Sequence, residues 1–245
     1  MDHSAYERMV PGSKTAVLMI HGIAGTPAHF RHLIPVIPAE FSARSILLSG
    51  HGGKVTDMGK TNMNAWKRQV NEALQQLLSQ HEKVYLVAHS MGTLFALRAA
   101  VEQPQRIAGL FLLAVPTRPH VRLSTMATSL RVAWGKVKET DTRALAMRDN
   151  TSIHIERNLF KYLTWVPRFL ELFAEIASVK KLLPRLEVPC LTFQSHVDEL
   201  VSIRSCNDLE NHPYIHNTVL YHSGHFAYSE DDLQLLCHRL KDFLK

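Results

Sequence analysis

The sequence predicts an α/β protein, with a mostly parallel central sheet, helices on both faces and an inserted helical cap. Three observations lead there. Short continuous apolar runs alternate with stretches of helical spacing as far as residue 115. Such runs suit strands buried on both faces, and strict strand–helix alternation requires parallel pairing through crossover helices. The alternation then stops for about seventy residues and resumes near residue 188. Finally, one tight strand-to-helix junction carries a serine at its apex. The core is therefore assigned to 1–116 and 187–245, and the cap to 117–186.

The elements follow in order. Residues 1–13 are polar and end in the turn signal Pro11-Gly12-Ser13. Ala16 to Ile20 is a buried strand leading into the glycine-bearing loop His21-Gly22-Ile23-Ala24-Gly25. A short helix interrupted by Pro35 and Pro38 follows, then a strand over 45–48, the loop Gly50-His51-Gly52, and further loop over 54–62. Residues 64–79 place Trp66, Val70, Ala73, Leu74, Leu77 and Leu78 on one helical face. The strand 83–87 precedes the serine turn, a helix runs over 93–102, and a strand spans 107–115. In the cap, helices are expected over 124–137 and 167–183. Beyond it come a strand over 188–194, a helix over 202–210, a strand over 217–221 and a final helix starting near Ser229, which with Asp232 fits a capping arrangement.

Composition narrows the function classes. With 46% hydrophobic and 20% charged residues in 245, the chain is an ordinary globular protein. Its apolar runs are too short to span a bilayer, and its N-terminus lacks the basic start and apolar stretch of a signal peptide. A cytoplasmic location without stable membrane insertion is expected. Cys190, Cys206 and Cys237 show no C-x-x-C spacing and read as reduced structural thiols, not a metal site. The net charge of +6 is concentrated: residues 117–186 hold 13 Lys and Arg against 6 Asp and Glu, or +7, leaving −1 elsewhere. A charge confined to one region argues against a nucleic-acid partner. Nothing in the sequence speaks to oligomeric state.

The serine turn is Ala88-His89-Ser90-Met91-Gly92. A strand, a sharp turn and a helix with Ser90 at the apex form a nucleophile elbow. The turn strains Ser90, so the positions two before and two after must be small. Gly92 is, and Ala88 stands where glycine is usual. A serine hydroxyl is a poor nucleophile near neutral pH and needs a base, with a third group to orient that base. In the chain order Ser, acid, His, Asp198 follows the strand 188–194 and His225 follows the strand 217–221. Glu199 beside Asp198, and His222 beside His225, are the alternatives. Residues 114–120 hold no carboxylate that competes for the acid. Attack on a carbonyl creates an oxyanion that fixed N–H donors stabilise. The N–H of Met91 and the N–H of Ile23 in the glycine loop are the candidates.

These residues carry a resemblance. His21-Gly22-Ile23-Ala24-Gly25, Gly50-His51-Gly52, Ala88 to Gly92, Asp198 and Ser223-Gly224-His225 together resemble the α/β-hydrolase superfamily, especially its bacterial carboxylesterase and monoacylglycerol lipase-like branch. The cap matches in position and helical character only. The resemblance implies an α/β-hydrolase fold, a covalent acyl-enzyme route without cofactor or metal, and a small-molecule ester of short or medium acyl chain, or a monoacylglycerol-like one, as substrate. The departures are Ala88 and Thr93, where a small residue is common. Thioesterase and peptidase activities use the same triad, and a fold alone does not choose among them. A non-catalytic binding protein on the same scaffold is the reading of a different class. Cap aromatics such as Trp134 and Trp165 are candidates to line the substrate pocket. The cap's positive charge suits either an anionic substrate or Lys and Arg stems shielding apolar surface.

Overall fold

The computed structural model describes residues 3–120, 141–154, 156 and 158–245. Seven strands, β1 (Tyr6–Arg8), β2 (Thr15–Ile20), β3 (Ser42–Ile46), β4 (Lys83–His89), β5 (Ile107–Leu113), β6 (Cys190–Ser195) and β7 (Ile215–Leu220), form one sheet in the order β1-β3-β2-β4-β5-β6-β7. Every neighbouring pair is parallel except β1 with β3. The chain steps outward from β2 to β3, then returns to the other side of β2 to lay down β4. The carboxyl ends of β2 and β4 therefore flank the point where strand order reverses, the crevice in which open α/β sheets bind ligands.

Both sheet faces are covered, which explains the continuous apolar runs. Along β2, Ala16, Leu18 and Ile20 pack into one core with Leu86, Ala88 and Leu112. Val17 and Met19 point to the opposite core with Val87, Phe111 and Phe193, as a period of two demands. Helices α1 (Val55–Lys60), α2 (Met63–Leu78) and α3 (Met91–Glu102) contribute to the first core. The C-terminal helix, Glu230–Phe243, covers the second with Leu236 and Leu240. Asn62 caps α2 by accepting the Ala65 N–H at 2.8 Å. The six apolar residues expected on that helix's inner face are all buried.

Between β5 and β6 the described residues form α4 (Thr142–Asp149), a 3-10 turn over Leu159–Trp165, and α5 (Val166–Lys180). The helix expected over 124–137, and with it Trp134, lies outside the described residues. α5 is fastened to the core by a buried carboxylate: Glu175, 5% exposed, receives Lys67 at 3.1 Å and Arg98 at 2.8 Å. Losing either cation would leave charge buried with less compensation. The Trp165 indole N–H donates to Val55 O at 2.7 Å, and Arg168 donates to Gly59 O at 3.2 Å. Beyond β6 come α6 (Cys206–Leu209) and the C-terminal helix, α7.

Four elements differ from expectation. Residues 6–8, read as part of a polar leader, form the antiparallel edge strand β1, which three residues of mixed polarity do not announce. Residues 55–60, expected as loop, form α1, because Asp57 Oδ2 accepts the Lys54 N–H at 2.9 Å and closes its first turn. The strand expected over 45–48 occupies Ser42–Ile46, since pairing with β2 outweighs the local apolar run. The helix expected over 202–210 is a 3-10 turn followed by the four-residue α6.

Candidate active site

The elbow sits where β4 ends. Ser90 has φ 51° and ψ −122°, a conformation that costs a non-glycine residue of order 1–3 kcal/mol and persists only where the surroundings impose it. Its N–H donates to Leu113 O at 2.9 Å, continuing the sheet for one more residue. Its carbonyl accepts the Thr93 N–H at 3.0 Å and the Thr93 hydroxyl at 2.6 Å. Thr93, a departure from the usual small residue, thus braces the turn. Any side chain at Gly92 would run into the Ile20 carbonyl, so the glycine there is obligatory. The Ala88 methyl is fully buried in the first core, where there is room for it.

The structure brings His225 to Asp198. His225 Nδ1 lies 2.9 Å from Asp198 Oδ2 and 3.1 Å from Oδ1, both residues being nearly inaccessible. Asp198 Oδ1 also accepts the N–H groups of Leu200 and Val201, each at 2.7 Å. Burial by itself would raise the Asp198 carboxyl, but the His225 ring and these two amides outweigh it and hold the group below the ordinary carboxylate range. The alternatives occupy other places. Glu199 Oε2 accepts the backbone N–H of His225 at 2.7 Å. A Cβ on Gly224 would come within 2.8 Å of both Glu199 carboxylate oxygens, so glycine there lets the loop close on Glu199. His222 is exposed, and its N–H donates to Asp232.

The glycine loop is held from several directions. A Cβ on Gly22 would stand 2.8 Å from the Ser90 Cβ, so the loop runs directly against the elbow. Gly22 O accepts the Gly25 N–H at 3.0 Å and the His21 Nδ1–H at 2.8 Å, while His21 Nε2 accepts the Leu48 N–H. Ala24 is held at φ 54°, and its N–H donates to His51 Nε2 at 3.0 Å. Among the described residues no backbone carbonyl accepts from the Ile23 N–H. Met91, the first residue of α3, carries an N–H that has no acceptor within its helix. Ser90, His225, Gly22, Ile23, His29, His89, Asn150 and Phe226 line one narrow cleft. Trp165 points elsewhere, toward Val55 and Tyr162.

Besides His225, the buried His21, His29 and His89 line this cleft, and the buried His51 packs behind His21. His89 donates from Nε2 to His225 O at 3.1 Å, and His29 stacks on His89 with ring centroids 3.8 Å apart. His29 Nε2 lies 3.1 Å from the Tyr228 hydroxyl. The roles of His29 and Asn150 gave no sequence signal, because their partners are remote in the chain. Burial is the first cause of a depressed pKa in all four: His29 falls to about 3, with His225 and Arg31 adding to the effect, and His51 falls to about 4. His21 and His89 lie well below the ordinary value.

This gives a stability prediction. The unfolded chain protonates these rings as pH drops below about 6.5, whereas the folded protein keeps them neutral. The folded state therefore loses stability on acidification from about 6.5 toward 4. At pH 5, His29 and His51 each cost about 2 kcal/mol, before His21 and His89 are added. Urea unfolding at pH 7.5 and pH 5 should show a fall on the order of 4 kcal/mol, and His51→Gln should remove about 2 kcal/mol of it. An unfolding free energy independent of pH over that window would contradict the assignment.

The comparisons with known proteins bear on this geometry. Residues 11–220 match the family model described as serine aminopeptidase, S33, of the Hydrolase_4 group. The chain belongs to that hydrolase family. No curated protein matches it. Among solved structures it is similar to a metagenome-derived lipolytic enzyme of the LipS and LipT study, with TM-score 0.74 and 20% identity over 98% of this chain and 97% of that one. It is also similar to the Paleococcus ferrophilus monoacylglycerol lipase, with TM-score 0.70 and 15% identity over 99% and 100% of the two chains. A structure from work on carboxylesterases of the thaumarchaeon Nitrososphaera gargenis gives 0.69 and 15% over 98% and 94%. The fold of this hydrolase is the α/β-hydrolase fold. Among the described residues, no group of three or more His, Cys, Asp or Glu is placed to hold a metal ion, and no helix is long and apolar enough to cross a membrane.

Proposed function

We propose that this enzyme is a serine hydrolase of carboxylic esters, acting through Ser90, His225 and Asp198 by way of an acyl-enzyme, with residues 117–186 as its cap. The observation that carries the reading is the 2.9 Å contact of His225 Nδ1 with Asp198, on a ring that lines the same cleft as Ser90. His225 Nε2 takes the proton of Ser90 Oγ as that oxygen attacks the ester carbonyl. The tetrahedral oxyanion faces the N–H groups of Ile23 and Met91. Collapse breaks the bond to the alcohol, which leaves with the proton from His225. Water then repeats the sequence, losing its proton to His225, and the carboxylic acid is released. No step calls for a metal or cofactor.

Esters are favoured over peptides by the charge of the cleft. An aminopeptidase must bind its substrate's terminal ammonium, and among the described residues lining the cleft none is a carboxylate. Asp198 and Glu199 are both engaged with His225. A second cavity of about 250 Å³ shares His29, Asn150 and Phe226 with the cleft and is walled by Leu33, Leu113, Ala146, Leu233 and Leu236. Arg31, His32 and Tyr228 complete its walls, and its size and leucine-lined side suit a short or medium acyl chain. Among the described residues of the cap, Lys161 pairs with Glu156, Arg168 with Glu171, and Arg118 and Lys180 both with Asp208.

The test is a panel of nitrophenyl esters of increasing acyl length, with the matching thioesters and aminoacyl nitroanilides. Turnover of the anilides above the esters would overturn the ester assignment in favour of a peptidase. Ala146→Phe should lower kcat/KM for the longest accepted acyl chain about tenfold more than for acetate esters, since a side chain filling the cavity costs the long chain its apolar contacts. Equal losses across the series would place the acyl group elsewhere.

A further inference from the structure

We infer that Asn150 and Ser152, on the inner edge of the cap, are positioning residues that hold the oxyanion loop and the histidine loop together. The inference rests on the ester-hydrolase reading above.

Ser152 reaches the oxyanion through a relay of peptide groups. Its N–H donates to Ala24 O at 3.1 Å. The peptide carrying that carbonyl also carries the Gly25 N–H, which donates to Gly22 O at 3.0 Å. The peptide carrying the Gly22 carbonyl in turn carries the Ile23 N–H, the proposed oxyanion donor. A trans peptide is planar with N–H and C=O opposed, so anchoring each carbonyl aims the N–H on its far side. Hydrogen bonds in such a chain also polarise one another. The Ser152 hydroxyl adds a bond to Gly25 O at 2.6 Å. The loop needs these anchors, because Ala24 sits at φ 54°, where a non-glycine residue does not stay unaided.

Asn150, two residues earlier, serves the other loop. It is 4% exposed, and its side-chain amide donates to Phe226 O at 2.9 Å and to Ala146 O at 3.0 Å. Phe226 directly follows His225, so this bond ties the end of α4 to the loop that carries the base. Asn150 Oδ1 accepts from Arg31 at 3.3 Å. The loop is thus held from the core by Glu199, at the His225 N–H, and from the cap by Asn150, at the Phe226 carbonyl. Both residues act through backbone carbonyls, which have no signature in a sequence.

The experiment compares wild type, Ser152→Ala, Ser152→Thr and Asn150→Asp, measuring kcat, KM, thermal midpoint and the rate of Ser90 labelling by a fluorophosphonate. An interaction that matters only in the transition state lowers kcat and leaves KM unchanged. Ser152→Ala and Asn150→Asp should therefore each lose about tenfold in kcat and in labelling rate, with KM within twofold. Ser152→Thr, which keeps the hydroxyl, should recover most of the loss. Lys67→Met, which loosens the cap at its far anchor on Glu175, should lower the thermal midpoint without the fall in kcat. Folded variants with wild-type kcat, or a Thr variant as slow as Ala, would overturn the inference alone. Should Asn150→Asp fail to fold, Ser152→Ala, which removes the hydroxyl bond to Gly25 O and keeps the N–H bond to Ala24 O, decides for the side chain. A wild type that neither hydrolyses esters nor takes the label would instead remove the ester-hydrolase reading beneath it.

Discussion

Ser90→Ala is expected to lower ester turnover on the order of 10⁶-fold, to the residual rate that substrate binding and the oxyanion donors supply without a nucleophile. The size follows from mechanism: the covalent step disappears, and His225 has no hydroxyl to deprotonate. The same variant should take no fluorophosphonate label. Folding should be unaffected, because alanine inherits the same backbone, with the N–H to Leu113 O and the carbonyl bonds from Thr93 intact. Ser90→Gly separates function from strain. At φ 51° glycine relieves a conformation that costs serine of order 1–3 kcal/mol, so this inactive variant should melt above wild type. Labelling that survives in Ser90→Ala, or hydrolysis above a few per cent, would move the nucleophile elsewhere.

Asp198→Asn and Glu199→Gln should differ by about three to four orders of magnitude in kcat, although the two residues are adjacent. Asp198 contacts the His225 ring at Nδ1; in the proposed mechanism it balances the charge that forms there, and replacing such a carboxylate by its amide costs on the order of 10⁴. Glu199 accepts the backbone N–H of His225. An amide oxygen can still accept that bond, so Glu199→Gln should cost about tenfold or less, and Glu199→Ala somewhat more. Steady-state kinetics on one activated ester, with Ser90 labelling as a check on folding, measures both. Similar losses at the two positions would mean that the acid's role is shared. A larger loss at Glu199 would reverse the assignment.

Much of the fold was legible because buried parallel strands leave continuous apolar runs. The strands β2, β4, β5 and β6 each stood within two or three residues of their place. β1 was not legible: its three residues owe their conformation to pairing with β3, and they bury too little to leave a pattern. α1 was missed for a related reason, since one Asp57 side-chain contact starts a six-residue helix. Asp198 and Glu199 could not be told apart finally by position in the chain. They point to different atoms of one residue, and that is decided by how the loop after β6 folds against the loop after β7.

By itself the sequence determined the chemistry on offer: a serine at a strained turn framed by small residues, an acid and a histidine in order behind later strands, and a glycine loop after the first buried strand. Each is local and tied to residue type, so a single chain displays it. Tertiary structure alone decided what holds those groups in place. His51 accepts from Ala24, Glu199 from the His225 backbone, and Asn150 and Ser152 reach the two loops from across the cap. Each of these contacts involves a backbone N–H or C=O group, which every residue type but proline carries in full, so composition and spacing cannot announce them.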